Sequence, residues 1–201
     1  MDFRGKRVLI IGAKRSGFGA AELLTRQGAR VRVMDAQPLA PEEQARFGAL
    51  GVGMVTQSEE NIRGPEGDPD LIVLSPAVPF DLPMLAAARG RGVSTMGEVE
   101  MASYFLKGPA IGITGSNGKT TATAITGHLL RECGIPCQVG GNIGTAVSAM
   151  ADSSREGQWN VLELSSFQLE TISHFRARIA ACLNVTPDHL DRHGTFENYA
   201  A

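Results

Sequence analysis

The chain reads as an α/β protein made of two parallel sheets in tandem, and three stretches carry that reading. Near the N-terminus the apolar run Arg7–Ile11 (RVLII) enters the glycine turn Gly12-Ala13-Lys14-Arg15-Ser16-Gly17, and a helical pattern with Ala20, Leu23 and Leu24 on one face follows. In the middle, Ala110–Ile113 leads into Gly115-Ser116-Asn117-Gly118-Lys119-Thr120-Thr121 and a second helical pattern, with Ala122, Ile125 and Leu129 as its apolar face. Further on, the apolar runs at 159–162 and 179–183 each end in polar residues suited to chemistry. Strands that alternate with helices through short glycine turns build parallel sheets.

The remaining elements follow in order. Arg30–Met34 reads as a strand closed by Asp35, an acidic residue where dinucleotide folds accept a ribose hydroxyl. Lys14 stands where the dinucleotide fingerprint needs its middle glycine, so NAD is not expected. The segment is either a Rossmann-like unit that binds a nucleotide in another way or a βαβ turn without a ligand. Residues 36–67 give one helix, from Pro41 to Leu50, and a Gly/Pro/Asp-rich connection. Leu71–Leu74 is a strand, and Ser75 opens a rigid turn at its C-terminal end, the edge where open α/β sheets bind ligands. A helix containing Leu82, Leu85 and Ala86 follows, with Pro83 in its first turn. Val93–Met96 is the last strand of a first domain, residues 1–97, and Glu98–Phe105 is a helix opening a second, residues 98–201.

In the second domain, residues 138–144 form a short strand and a glycine turn carrying Asn142. The strand Trp159–Leu162 ends in Glu163, followed by Ser165 and Gln168, and the run at 179–183 ends in a polar segment containing His189. Thr195 is an N-cap for a helix over 196–201 that has no stop signal, so this domain is expected to be truncated.

Bulk properties exclude several classes. With 19 basic and 21 acidic residues the net charge is −2, which argues against a nucleic-acid surface. No apolar run approaches membrane-spanning length and the N-terminus has no apolar signal core, so a cytoplasmic protein without membrane contact is expected. Cys133, Cys137 and Cys182 lack metal-binding spacing and are read as small apolar fillers.

The chemistry centres on Gly115 to Thr121. A strand, a glycine turn and a helix N-terminus aim backbone N–H groups and the positive helix end at an anion. Lys119 would reach terminal phosphates and the Thr120 hydroxyl would ligate magnesium. Ile113 replaces the first glycine of the longer phosphate-loop pattern, leaving the compact form G-x-x-G-K-T. Glu163 and His189 fall beyond the ends of two strands at the same edge, and a carboxylate there holds nucleotide-bound magnesium. Taken alone, His189 would more often be a structural histidine; His128, His174 and His193 are read as surface or capping residues.

With TGSNGKTT at 114–121, GGNIG at 140–144, LELSSFQLE at 162–170 and NVTPDHLDRHG at 184–194, the chain resembles the Mur ligases. The phosphate loop alone would also fit a folylpolyglutamate synthetase; LELSSFQLE selects members that add D-glutamate. The resemblance implies a Rossmann-like UDP-binding domain followed by a P-loop ATPase domain, with ATP and Mg2+ as cofactors. It implies ATP held by Gly115, Ser116, Asn117, Gly118, Lys119, Thr120 and Thr121, and magnesium by Thr120, Glu163 and His189, with Lys119, Glu163 and His189 as the catalytic set. The uridine diphosphate would meet Lys14, Arg15, Ser16, Asp35 and Ser75; Asn142, Ser165 and Gln168 would contact the muramoyl group. Lys14 and Arg15 depart from the small or apolar residues commoner in that turn.

The implied reaction joins D-glutamate to UDP-N-acetylmuramoyl-L-alanine through an acyl phosphate, in a monomer. The family's carbamylated lysine and its third domain fall outside these residues, so the fragment alone is expected to be inactive. A small-molecule phosphotransferase would explain the phosphate loop but not the first domain. A nucleotide-sensing module is the third reading, and Lys14 speaks against its nicotinamide form.

Overall fold

In the computed structural model, which describes residues 1–201, the first 97 residues form five short parallel strands. These are β1 (Arg7–Ile11), β2 (Arg30–Asp35), β3 (Gly53–Thr56), β4 (Leu71–Leu74) and β5 (Ser94–Gly97), in the order β3-β2-β1-β4-β5. Helices α1 (Arg15–Arg26), α2 (Pro41–Ala49), α3 (Glu59–Arg63) and α4 (Pro83–Gly90) make the crossovers. Because helices cover both faces, the central strands are apolar throughout: all four residues of β4 and the last four of β1 are buried.

Helix α5 (Glu98–Ser103) leads to a second parallel sheet of β6 (Ala110–Thr114), β7 (Cys137–Gly141), β8 (Trp159–Glu163) and β9 (Ile179–Cys182), in the order β7-β8-β6-β9. Its connections hold α6 (Lys119–Glu132), α7 (Val147–Met150) and α8 (Ser166–Leu169), and α9 (Leu190–His193) and α10 (Phe196–Ala200) follow β9. The register sets Ile113 and Gly141 on either side of Glu163, so three strand ends meet at one place.

Three expectations need correction. The connection expected over residues 51–67 contains β3 and α3, both short and each with little buried surface; Ser58 caps α3 by accepting from the Asn61 N–H at 3.1 Å. On α6 the buried positions are Thr123 and Gly127, whereas Ile125 and Leu129 are 52% and 56% exposed. A Cβ at Gly127 would lie 2.3 Å from Val139 Cγ2, so α6 approaches β7 along its smallest side chains and not its largest. The filler reading fits Cys137, half-buried against the Ile111 cluster, but Cys133 and Cys182 are exposed.

One apolar cluster runs through both sheets' helices, joining Ala20, Leu24, Val99 and Met101 to Val147, Met150 and Leu162. Two buried carboxylates pin this junction. Glu98 accepts from the Ser148 N–H at 2.6 Å, while its Oε2 and the Ser148 hydroxyl have no partner. Burial pushes the Glu98 carboxyl up, against the opposing pull of its Ser148 hydrogen bond and the Arg15 charge. Burial works on Glu100 in the same sense, but the N–H groups of Phe175, His174 and Ser173, with the His174 ring, outweigh it and hold the carboxyl below its ordinary range.

The two carboxylates have opposite pH signatures. A raised folded pKa means that the Glu98 contribution is complete at acid pH and is lost as pH rises through the folded value. Glu98→Gln is neutral at every pH, so its melting midpoint should match the parent near pH 4 and exceed it at pH 8 by about 2–4 °C, for roughly 1 kcal/mol. A depressed pKa means that the Glu100 contribution is present above the unfolded value and is lost as pH falls. Urea unfolding of Glu100→Gln at pH 7 should show a loss of roughly 1.5–3 kcal/mol that shrinks in acid.

Candidate nucleotide and phosphate site

The glycine-rich loop between β6 and α6 lies at the C-terminal edge of the second sheet. Gly118, at φ 82°, is the N-cap of α6, and no acidic side chain occupies that helix's first turn. The first N–H groups of α6 lack intrahelical acceptors and carry the positive end of a 14-residue helix. The Lys119 ammonium folds over the loop, donating to the carbonyls of Gly115 at 2.6 Å and Ser116 at 3.0 Å.

Beside the loop, three elements converge on Glu163. Its side chain is buried at the end of β8; Oε2 accepts from the Thr120 hydroxyl at 2.8 Å and Oε1 from the Asn142 amide at 2.9 Å. The Asn142 N–H also donates to the Glu163 carbonyl at 2.9 Å. Gly141, at φ 106°, makes this approach possible, since a Cβ there would sit 2.3 Å from the same carbonyl. A hydroxyl and a carboxylate side by side are hard oxygen donors of the kind magnesium takes.

His189 stands outside this network. Its backbone is left-handed at φ 49°, its ring packs 4.8 Å from Phe167, and its imidazole lies 3.8 Å from the Asp188 carboxylate. No set of three or more His, Cys, Asp and Glu side chains is gathered closely enough to hold a metal ion by itself. Ser165 and Gln168 bond each other in a capping box on α8: the Gln168 Oε1 accepts from the Ser165 N–H at 2.9 Å. Within the loop, the Ser116 hydroxyl meets Tyr199 at 2.8 Å and accepts from the Thr186 N–H at 2.9 Å. The Asn117 N–H donates to the Asn184 side chain at 2.9 Å.

Asn184, Thr186 and Tyr199 therefore brace the loop, a role that sequence reasoning missed although Asn184 and Thr186 lie within the NVTPDHLDRHG stretch. His193, read as a surface or capping residue, bonds Ser166 at 2.9 Å and packs between Phe167 and Tyr199. Between the loop and these last helices lies a cavity of about 500 Å³, lined in part by Gly115, Ser166, Asn184, Arg192 and Tyr199.

On the first sheet, Asp35 stitches the glycine turn to the end of β2, accepting from the N–H groups of Ala13 at 2.7 Å and Gln37 at 2.9 Å. The Ser75 hydroxyl donates to the Gly12 carbonyl at 2.8 Å. Lys14 is exposed and pairs with Glu43 at 3.1 Å. Ser16 lies in the first turn of α1, whose N-cap has no side-chain hydrogen bond. Arg15 reaches across to donate to the Asn142 carbonyl at 2.9 Å, so the first sheet's glycine turn touches the residue that holds Glu163.

Comparisons with known proteins bear on the fold and on the chain's relatives. Residues 113–201 match the Mur ligase middle domain. Over all 201 residues the chain is 57% identical to the UDP-N-acetylmuramoylalanine–D-glutamate ligase of Solibacter usitatus and 50% identical to that of Koribacter versatilis. In both cases it spans 44% of the relative's length. A solved UDP-N-acetylmuramate-alanine ligase from Thermotoga maritima superposes with a TM-score of 0.56 at 25% identity, over 96% of this chain and 45% of that one. A UDP-N-acetylmuramate:L-alanyl-gamma-D-glutamyl-meso-diaminopimelate ligase from Neisseria meningitides, 20% identical, shares the fold with a TM-score of 0.57 over 97% of this chain and 65% of that one. A middle-domain match thus lies over the second sheet, and ligase relatives align along all 201 residues, which span less than half of those relatives' length.

Proposed function

We propose that this chain is the nucleotide-handling portion of an ATP-dependent amide ligase that joins D-glutamate to UDP-N-acetylmuramoyl-L-alanine in the cytoplasm, acting as a monomer. Residues 1–97 form the domain for the uridine diphosphate group, and residues 98–201 form part of the domain for ATP. The observation that carries this reading is the meeting of Thr120, Glu163 and Asn142 beside the Lys119 loop, with Arg15 tying the other sheet's turn to the same place.

A carboxylate resists attack by an amine because oxide is a poor leaving group, and phosphorylation at the expense of ATP supplies a better one. Bringing a carboxylate to a triphosphate opposes two anions, so the site must supply positive charge where phosphoryl charge develops. Lys119 leaves its two carbonyl acceptors to meet terminal phosphates, while the N–H groups at the start of α6 hold the phosphate chain. Magnesium, when bound through Thr120 and Glu163, neutralises phosphate charge and fixes phosphate geometry. Asn142 keeps the carboxylate turned toward Thr120. His189 lies apart from this pair, packed against Phe167. On the first sheet, the open N-terminus of α1, with Arg15 and Ser16, takes the diphosphate; Ser75 and Asp35 hold the turn in shape. Ser165 and Gln168 set the wall on which the muramoyl group lies.

Two measurements test the reading. In a protein of the relatives' full length, Lys119→Ala should abolish amide formation, while calorimetry with UDP should be unchanged, because Lys119 belongs to the ATP side. Turnover at the parent rate would remove the loop from the chemistry, and ADP release that needs no amine would point to a phosphotransferase. Glu163→Gln in the same protein keeps the shape of the Thr120–Asn142 bridge but removes its charge. Its kcat should fall by roughly 2–4 kcal/mol in transition-state stabilisation, with a higher magnesium requirement. An unaltered magnesium titration would exclude Glu163 from the metal site.

A further inference from the structure

The strand β2, RVRVMD, carries two arginines, Arg30 and Arg32, at the edge of the first sheet opposite its glycine turn. That edge holds a cavity of about 300 Å³, on the order of 15 Å from the turn by the length of a five-residue strand. Its apolar lining comes from Val8, Ala29, Val31, Leu50 and Val52, and its basic lining from Arg7, Arg30, Arg32 and Arg63. The carboxylates nearby do not balance these charges equally. Arg7 is paired with Asp70 at 2.9 Å, and Asp68 is taken by Arg91 at 2.9 Å, leaving Arg63 at 3.9 Å. Arg30 meets Glu66 only at 3.4 Å and keeps 70% of its side chain exposed. Arg32 has no carboxylate partner: it donates to the carbonyls of Asn61 at 3.1 Å and Ile62 at 2.9 Å, at the end of α3. Its partial burial costs the cation solvation, which pulls its pKa down against the weaker opposing charge of Glu66. The Thr25 hydroxyl, on the same lining, is buried with no hydrogen-bond partner. A partly desolvated cation without a counter-ion and an unspent hydroxyl, over an apolar floor, are the parts of a ligand pocket.

We propose that this cavity is a second binding site, taking a small organic anion whose phosphate or carboxylate meets Arg30 and Arg32 while an apolar body covers the half-buried Ala29, Val31 and Leu50. The site is separate from the phosphate loop and from the α1 turn, and it does not depend on the ligase reading. Guanidinium groups recognise either anion through paired N–H donors, so the chemistry is shared between the two.

The test is an amide-resolved NMR titration of the 201-residue chain with 1-naphthyl phosphate, 1-naphthoate and, as the uncharged control, 1-naphthol. The expected result is saturable shifts at Thr25, Val31, Gly51 and Gly67 with at least one anion, and none with 1-naphthol. The stronger of the two anions identifies the preferred group. Arg30→Gln, at an exposed side chain, should weaken that binding about tenfold, and Arg32→Met should weaken it further. If Arg32→Met fails to fold, Arg30→Gln decides. Shifts confined to residues 115–121 or to the α1 turn, equal binding of 1-naphthol, or unchanged affinity in Arg30→Gln would overturn the proposal.

Discussion

The buried Glu163 carboxylate is the interaction on which the rest of the second sheet's edge depends. It sits at the end of β8, between strands ending at Ile113 and Gly141, and it binds one side chain from each neighbouring connection. A carboxylate this buried needs hydrogen-bond donors, and Thr120 and Asn142 supply them. The same two contacts fix the start of α6 and the turn after β7. Satisfying one buried charge thereby organises the phosphate loop's surroundings before any ligand arrives.

The glycines around it serve that requirement. Gly141 admits the Glu163 carbonyl where any side chain would collide, and Gly127 lets α6 settle onto β7. Away from that contact, α6 leaves Ile125 and Leu129 exposed, and β9, at the sheet's opposite edge, leaves Ile179 49% exposed. Apolar burial is concentrated elsewhere, in the cluster shared by the two sheets' helices. There Glu98 and Glu100 act as pins, one strained by burial and one well supplied with N–H donors. Arg15 adds a polar link across the same junction.

The edges of the first sheet are chemically distinct. The C-terminal edge is glycine-rich and presents helix N–H groups, with Asp35 and Ser75 occupied in shaping the turn. The N-terminal edge is arginine-rich, with charges only partly met by Glu66, Asp68 and Asp70. One sheet thus carries two anion-friendly surfaces built by different means, backbone dipoles at one end and guanidinium groups at the other.

Period and punctuation in the sequence determined the parallel α/β class, the loop-to-helix transition at Lys119 and the placement of Glu163 at a strand end. These are local properties: apolar runs of strand length, glycine where the chain turns, and a lysine at a helix start. The sequence also pointed to Thr195 as a cap, and its hydroxyl accepts from the Asn198 N–H at 3.2 Å. β3 and α3 were illegible because edge elements of four and five residues bury too little to leave a pattern. The face of α6 was misread because a close helix–strand approach selects the smallest side chains, which periodicity counts as gaps. Only the tertiary structure decided that Thr120 and Asn142 share Glu163, that Asn184 and Tyr199 brace the loop, and that His189 stands apart beside Phe167. Those partners lie between 21 and 83 residues apart, and their pairing follows from strand order and register, which no local pattern encodes.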